Sequence, residues 1–290
     1  MMQNRKLWSY SLIVIVCALL LIGLQWFKNE QSSPAAVGDP LSAGDSLQAA
    51  SGQLEKLLAI GTALTPDPYL VTVKWQGNWE TQLAEEEAAG ALATRLGLSE
   101  PQTENVQGYT LYNANGSNEG VRLTLDVTAQ SEGQYYVVLR LEGAGGTAGS
   151  VERLLNVQQL AGESLADEGV RIGWNAAVQG IGLARAGAGT GTESKPAEGE
   201  PSEPASADRT VSAVLAGLEQ QIEDELGQKL ERVEGFEDEL TASQSYAVPG
   251  FPITAQSGKR QVALQLAVHR NADTGMDEIA VGSPLLTVEY

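Results

Sequence analysis

One cysteine and one histidine are all that 290 residues contain of the two side chains that most often bind metals. Cys17 falls inside an apolar N-terminal run, so neither a disulfide framework nor a thiolate metal cluster is available. His269 has no HExxH pattern around it, which leaves zinc hydrolysis without ligands. A Ser–His–Asp arrangement would have to be built on that one imidazole, and no nucleophile elbow accompanies it. Basic residues are scarce as well: 18 Lys and Arg stand against 37 Asp and Glu, for a formal charge of −19. Arg5, Lys6 and Lys28 lie at the N-terminus and every acidic residue lies at or after Glu30, so the chain beyond residue 28 is more negative still. Such a surface repels phosphate backbones and anionic head groups, which disfavours nucleic acid as a partner.

What the chain does have begins with Leu7–Phe27, an uncharged stretch close to the ~20 residues that cross a hydrocarbon core as a helix. Arg5 and Lys6 precede it, placing the N-terminus in the cytoplasm and the rest outside the cell membrane. Trp8, Tyr10 and Trp26 sit at its ends, where aromatic rings favour the membrane interface. A cleaved signal peptide is the competing expectation, with Leu12–Leu24 as its apolar region, a cut near Ser33–Ala36 and a secreted product. Val16 before Cys17 does not fit a lipoprotein site. The anchor occupies residues 1–28, and Asn29–Gly44, without periodicity, reads as a flexible spacer.

Residues 45–183 alternate between two periods. Ser46–Ile60 places Leu47, Ala50, Leu54, Leu57 and Leu58 on one helical face, with Gly61 as its expected end. Tyr69–Gly77 turns to period two, and Glu80–Leu96 returns to helical spacing until Gly97. Three strands are expected near Val106–Tyr112, Val121–Ala129 and Gln134–Glu142, with turns at Asn115-Gly116 and Glu132-Gly133. A helix over Ser150–Ala166 and a strand over Val170–Gly180 follow. Ala184–Ala207 lacks large apolar residues and reads as a disordered insertion. From residue 208 to 290 the pattern predicts a helix over Asp208–Leu226, then strands near Lys229–Phe236, Gln244–Val248, Lys259–Arg270 and Asp277–Val288.

The strand Val170–Gly180 echoes Tyr69–Trp79: Val170, Ile172, Trp174, Ala176 and Val178 match Val71, Val73 and Trp75. The pattern predicts an α+β fold from a duplicated unit, with a curved antiparallel sheet, helices on one face and the other face open. Both tryptophans belong to apolar rows and are expected in the core rather than as platforms for a sugar or base. The opposite rows supply the candidate interaction surface: Arg171, Asn175, Gln179 and His269. Gly143–Gly149 imitates a dinucleotide fingerprint but follows an antiparallel meander instead of a parallel strand. Asp273, Asp277 and Glu278 are acidic enough for calcium but fit no known loop spacing, and read as a hairpin turn. No catalytic, cofactor or metal residue is assigned.

The last strand, IAVGSPLLTVEY, resembles the C-terminal end of the YwmB family, exported proteins of spore-forming Gram-positive bacteria. The resemblance rests on Val281, Gly282, Pro284, Thr287, Glu289 and Tyr290, and on element order over Leu54–Tyr290 outside the insertion. It implies a TATA-box-binding-protein-like fold, two repeats in a saddle-shaped sheet, without naming an activity. A tethered, non-enzymatic module that binds another envelope protein is the resulting expectation, with DNA binding or an envelope enzyme as alternatives.

Overall fold

The computed structural model describes residues 43–65, 68–106, 108–182 and 210–286. The expected anchor Leu7–Phe27, nearly all of the spacer, the insertion Ala184–Ala207 and residues 287–290 lie outside them. Among the described residues no helix is long and apolar enough to cross a membrane.

Four helices and twelve strands are described. The helices are α1 (Ala43–Leu64), α2 (Glu85–Arg95), α3 (Ser150–Asp167) and α4 (Val211–Leu226). Strands β1 (Tyr69–Glu80), β2 (Gln102–Val106), β3 (Tyr109–Asn118), β4 (Val121–Ser131) and β5 (Gln134–Gly145) fill the first part, and β6 (Arg171–Ile181) opens the second. The second part holds β7 (Glu231–Glu237), β8 (Thr241–Ala247), β9 (Ala255–Ser257), β10 (Arg260–Val262), β11 (Leu264–Arg270) and β12 (Asp277–Ser283). Ten strands form one antiparallel sheet in the order β2-β3-β4-β5-β1-β6-β12-β11-β8-β7, while β9 pairs with β10 alone. The fold is α+β, with one large antiparallel sheet.

The alternation of the sequence explains which face is filled. Val71, Val73 and Trp75, Leu123, Leu125 and Val127, Val137, Leu139 and Leu141, and Leu264, Leu266 and Val268 all enter one apolar cluster. The helices add Leu54, Leu57, Leu92, Leu154, Leu165, Leu218 and Ile222 to the same cluster. At ~0.8 kcal/mol per buried methylene this cluster is the main favourable term. All four helices therefore lie on one side of the sheet.

The two halves meet at β1 and β6, and the register places Trp75 directly opposite Trp174. Both are buried, as their apolar rows require. Each indole N–H donates to Gln158 of α3: Trp75 Nε1 to the backbone oxygen at 2.9 Å, Trp174 Nε1 to Oε1 at 3.1 Å. One fully buried glutamine thus satisfies two indoles that could not otherwise be buried without cost.

Several boundaries differ from the sequence expectation. Helix α1 starts at Ala43, inside the expected spacer, and runs through Gly61. That glycine serves packing, since a Cβ there would lie 2.7 Å from Val178. Strand β1 runs on to Glu80 and helix α2 starts only at Glu85, because Trp79 still belongs to the buried row. Four strands, not three, follow α2, and Asn115-Gly116 lies within β3. Gly116 is there because Leu98 packs over it, 2.8 Å from where a Cβ would be, and the turn falls at Glu119 and Gly120, both with positive φ. The expected strand Lys259–Arg270 is two strands broken at Ala263, whose N–H bonds Tyr246. Strand β12 ends at Ser283 rather than Val288, since Pro284 has no N–H for a ladder. Gly143–Gly145 still belong to β5, and that strand is antiparallel to both its neighbours, unlike the parallel unit of a dinucleotide fingerprint.

On the helix side of β8, Tyr246 is fully buried and its hydroxyl has no hydrogen-bond partner. Burial, with Glu219 nearby, raises its pKa from the ordinary 10.0, and Arg232 opposes the shift in part. A raised tyrosine pKa means that the unfolded chain loses this proton first, so stability falls as pH rises above about 10. Tyr246→Phe should leave stability at neutral pH within about 1 kcal/mol of wild type, because no hydrogen bond is lost. Urea unfolding at a series of pH values should show a shallower alkaline decline for the variant.

Candidate functional site

Because the helices share one side, the other face of the sheet is the candidate site. Its two halves differ in chemistry. In the first half, strand parity sends Asn113 and Asn115 of β3, Thr124 and Asp126 of β4, and Arg140 and Glu142 of β5 to this face. They are joined by hydrogen bonds. Thr124 Oγ1 donates to Asn115 Oδ1 at 3.0 Å, Asn115 Nδ2 to Asn113 Oδ1 at 2.5 Å, and Asn113 Nδ2 to Asp126 Oδ1 at 2.7 Å. Arg122 pairs with Glu142 at 2.9 Å, and Arg140 Nε lies 3.9 Å from the same carboxylate. Most of these side chains are half-buried, so solvent screens the ion pairs and each contributes at most about 1 kcal/mol. What the ladder supplies is a fixed pattern of donors and acceptors on a rigid sheet.

The second half is built from smaller residues. Across β6, β12, β11 and β8 the register aligns Ala177 with Gly282, Gln265 with Gly282, and Gln265 with Ser245. The next row holds Gln179, Ala280, Ala267 and Ser243.

The four residues expected on the interaction surface do share this face, yet they have different surroundings. Arg171 is exposed at the end of β6 and pairs with Glu80 at 3.3 Å. Gln179 is half-buried opposite Ala280. Asn175 is only 7% exposed, and its Nδ2 donates to the Leu285 carbonyl at 2.8 Å. His269, expected toward solvent or the open face, is on that face but buried, with Nδ1 3.0 Å from Thr241 Oγ1. Thr241 lies opposite it on β8 and Glu278 on β12, so the ring is flanked on both sides. The four therefore do not form one contiguous free surface.

The sequence reading missed the Asn–Asp ladder and the return of the chain after β12. The ladder had a signal: Asn113 and Asn115 alternate along β3 with the partly buried Tyr112 and the buried Ala114. The return had one too, since Pro284 has no N–H to continue a ladder. Asp273 stands at the Asn271–Gly275 turn, Asp277 Oδ1 pairs with Arg270 Nε at 2.9 Å, and Glu278 accepts from Asn271 Nδ2 at 3.1 Å, which is hairpin chemistry. Among the described residues no group of three His, Cys, Asp or Glu side chains could hold a metal ion.

No protein-family model and no curated protein matches the chain. Among solved structures it is similar to DynU16, a protein of the dynemicin biosynthetic locus. The identity is 11% over 72% of this chain and 85% of that one, with a TM-score of 0.16. A superposition that poor carries no argument.

Thr241→Val should leave the buried His269 nitrogen without its partner at a cost of about 1–3 kcal/mol. Asn113→Ala, which removes a half-exposed partner, should cost under about 1 kcal/mol. Chemical denaturation of both variants beside wild type measures the contrast.

Proposed function

We propose that the chain is a membrane-tethered extracytoplasmic module of the YwmB type whose open sheet face receives another envelope protein. The observation that carries this reading is the fixed polar ladder on the first half of that face, half-exposed on a rigid sheet, with every described helix on the opposite side. Partners can add hydrogen bonds to the partly exposed amide, carboxylate and guanidinium groups of such a surface, and a rigid scaffold spends little ordering entropy in presenting them. Tethering rests on Leu7–Phe27 and the basic residues before it.

A duplicated, TATA-box-binding-protein-like unit is the architecture we assign. Its support is the strand order, which reads first, last, then backward to the edge on both sides of the centre: β1, β5, β4, β3, β2 on one and β6, β12, β11, β8, β7 on the other. Each half also begins with a helix, α1 before β1 and α3 before β6. The Trp75–Trp174 pair falls within the β1–β6 ladder at matching positions.

DNA on this face is the weaker reading. Duplex binding draws its affinity from Lys and Arg against phosphates. Here Arg122 and Arg140 lie beside Glu142, Asp126 stands in the middle of the ladder, and the whole chain is strongly acidic.

A photo-crosslinking residue at position 113, on the open face, should capture one specific envelope protein in cells, and Arg140→Glu should abolish that adduct. The same residue at Leu160, exposed on the helix side, should capture nothing specific. Equal capture from both positions, or none from 113, counts against the proposal, and tight duplex retention in a low-salt gel shift would favour DNA.

A further inference from the structure

The two edges of the ten-stranded sheet are treated differently. An uncovered edge is a template for a further strand, and proteins block such edges with bulges, charges or covering groups. Edge strand β7 is blocked. Its ladder with β8 shifts register between Arg232 and Glu234, and Val233 is buried. Its carbonyls are occupied as well: the Arg260 guanidinium donates to those of Arg232 and Val233, and Gln244 Nε2 donates to that of Glu234 at 2.7 Å.

Edge strand β2 has neither device. It pairs with β3 in unbroken register, and all five of its residues are exposed. The direction of its main-chain groups follows from β3. Asn115 turns both of its main-chain groups to the β2 side, where its carbonyl accepts from the Ser99 N–H at 2.9 Å and its N–H donates to Ser99 Oγ at 3.2 Å. By the alternation of an antiparallel ladder, Asn113, Leu111 and Tyr109 then bond Gln102, Glu104 and Val106. Thr103 and Asn105 therefore aim their N–H and C=O groups away from the sheet, and none of the hydrogen bonds among the described residues reaches them.

The same ladder sorts the side chains. Gln102, Glu104 and Val106 share the open face with Asn113, Leu111 and Tyr109, so β2 is the outer margin of the polar ladder. Val106 and Tyr109, 46% and 66% exposed, give that margin an apolar end. Charge decides what fits beside it. Residues 81–118 hold Glu85, Glu86, Glu87, Glu100 and Glu104 against one basic residue, Arg95, which pairs with Asp167 at 2.7 Å. A second copy of this chain would bring two such acidic sets together about a two-fold axis, and like charges facing each other across strands are destabilising. A basic strand meets the opposite sign.

We infer that β2 receives an extended cationic segment of the partner protein by strand addition, with a Lys or Arg facing Glu104 and an apolar side chain at the Val106–Tyr109 end. The inference rests on the reading that an envelope protein binds the open face, and it names how that protein attaches.

The probe is a fluorescent, disulfide-closed hairpin peptide whose outer strand reads Thr-Val-Thr-Lys-Thr-Gln-Thr, titrated against the full chain in mild detergent and followed by anisotropy. It should bind at least tenfold more tightly than the same hairpin with Glu in place of Lys. N-methylation of the two Thr residues that flank the Lys should weaken binding at least tenfold, because main-chain pairing alone uses those amides. Thr103→Pro removes one outward N–H and keeps the bonds between β2 and β3, and it should weaken binding at least tenfold with an unchanged far-UV circular dichroism spectrum. Where that spectrum changes, the methylated hairpin against wild type decides. Equal binding of the Lys and Glu hairpins, equal binding of the methylated and unmethylated ones, or a dimer of the full chain that Thr103→Pro abolishes overturns the inference. A hairpin that does not bind while the adduct from position 113 still forms overturns the edge inference and leaves the face reading standing; hairpin binding without that adduct does the reverse.

Discussion

Two tryptophans side by side at the middle of a ten-stranded sheet need their N–H groups satisfied in a place that water does not reach. Gln158 does this for both, through its main-chain oxygen for Trp75 and its side-chain oxygen for Trp174. The rest of the architecture depends on this contact, because it fixes α3 over the junction where the strands of the first part meet those of the second. Gly162, one turn farther along α3, lets the helix approach: a Cβ there would lie 2.7 Å from the Trp75 ring. Sheet register, helix placement and the choice of open face are thus set together.

The consequence for function is a division of labour between faces. The helix side spends its apolar residues on one cluster and leaves little surface chemistry beyond ion pairs such as Arg95–Asp167. The open side keeps two textures. One half is a ladder of amides, carboxylates and guanidinium groups, and the other is a floor of small side chains over which the chain bends back. On our proposal this face receives a polar protein surface, a reading with which the acidity of the whole chain agrees.

Much of the fold was legible in the sequence, and the reason is periodicity. Ser150–Asp167 was read almost to the residue because its apolar positions recur at three and four, and β6 because Ile172, Trp174, Ala176 and Val178 recur at every second position. The turn at Glu132-Gly133 was readable from its chemistry, whereas Asn115-Gly116 misled because a glycine demanded by a close neighbour looks the same in sequence as one demanded by a turn. The site was less legible. Parity correctly placed Arg171, Asn175, Gln179 and His269 on one face, but parity says nothing about what lies over a residue. Burial of Asn175 and His269 comes from contacts 110 and 28 residues away in sequence, which no local pattern encodes.

Native-state hydrogen exchange on Gly162→Ala tests the central claim most directly. The added methyl group should push α3 off Trp75, and the account predicts that the backbone amides of β1 and β6 lose protection together and by the same factor, since both strands lean on the one helix. Loss confined to β1, with β6 as protected as in wild type, would show that the two halves do not share this junction and would contradict the account.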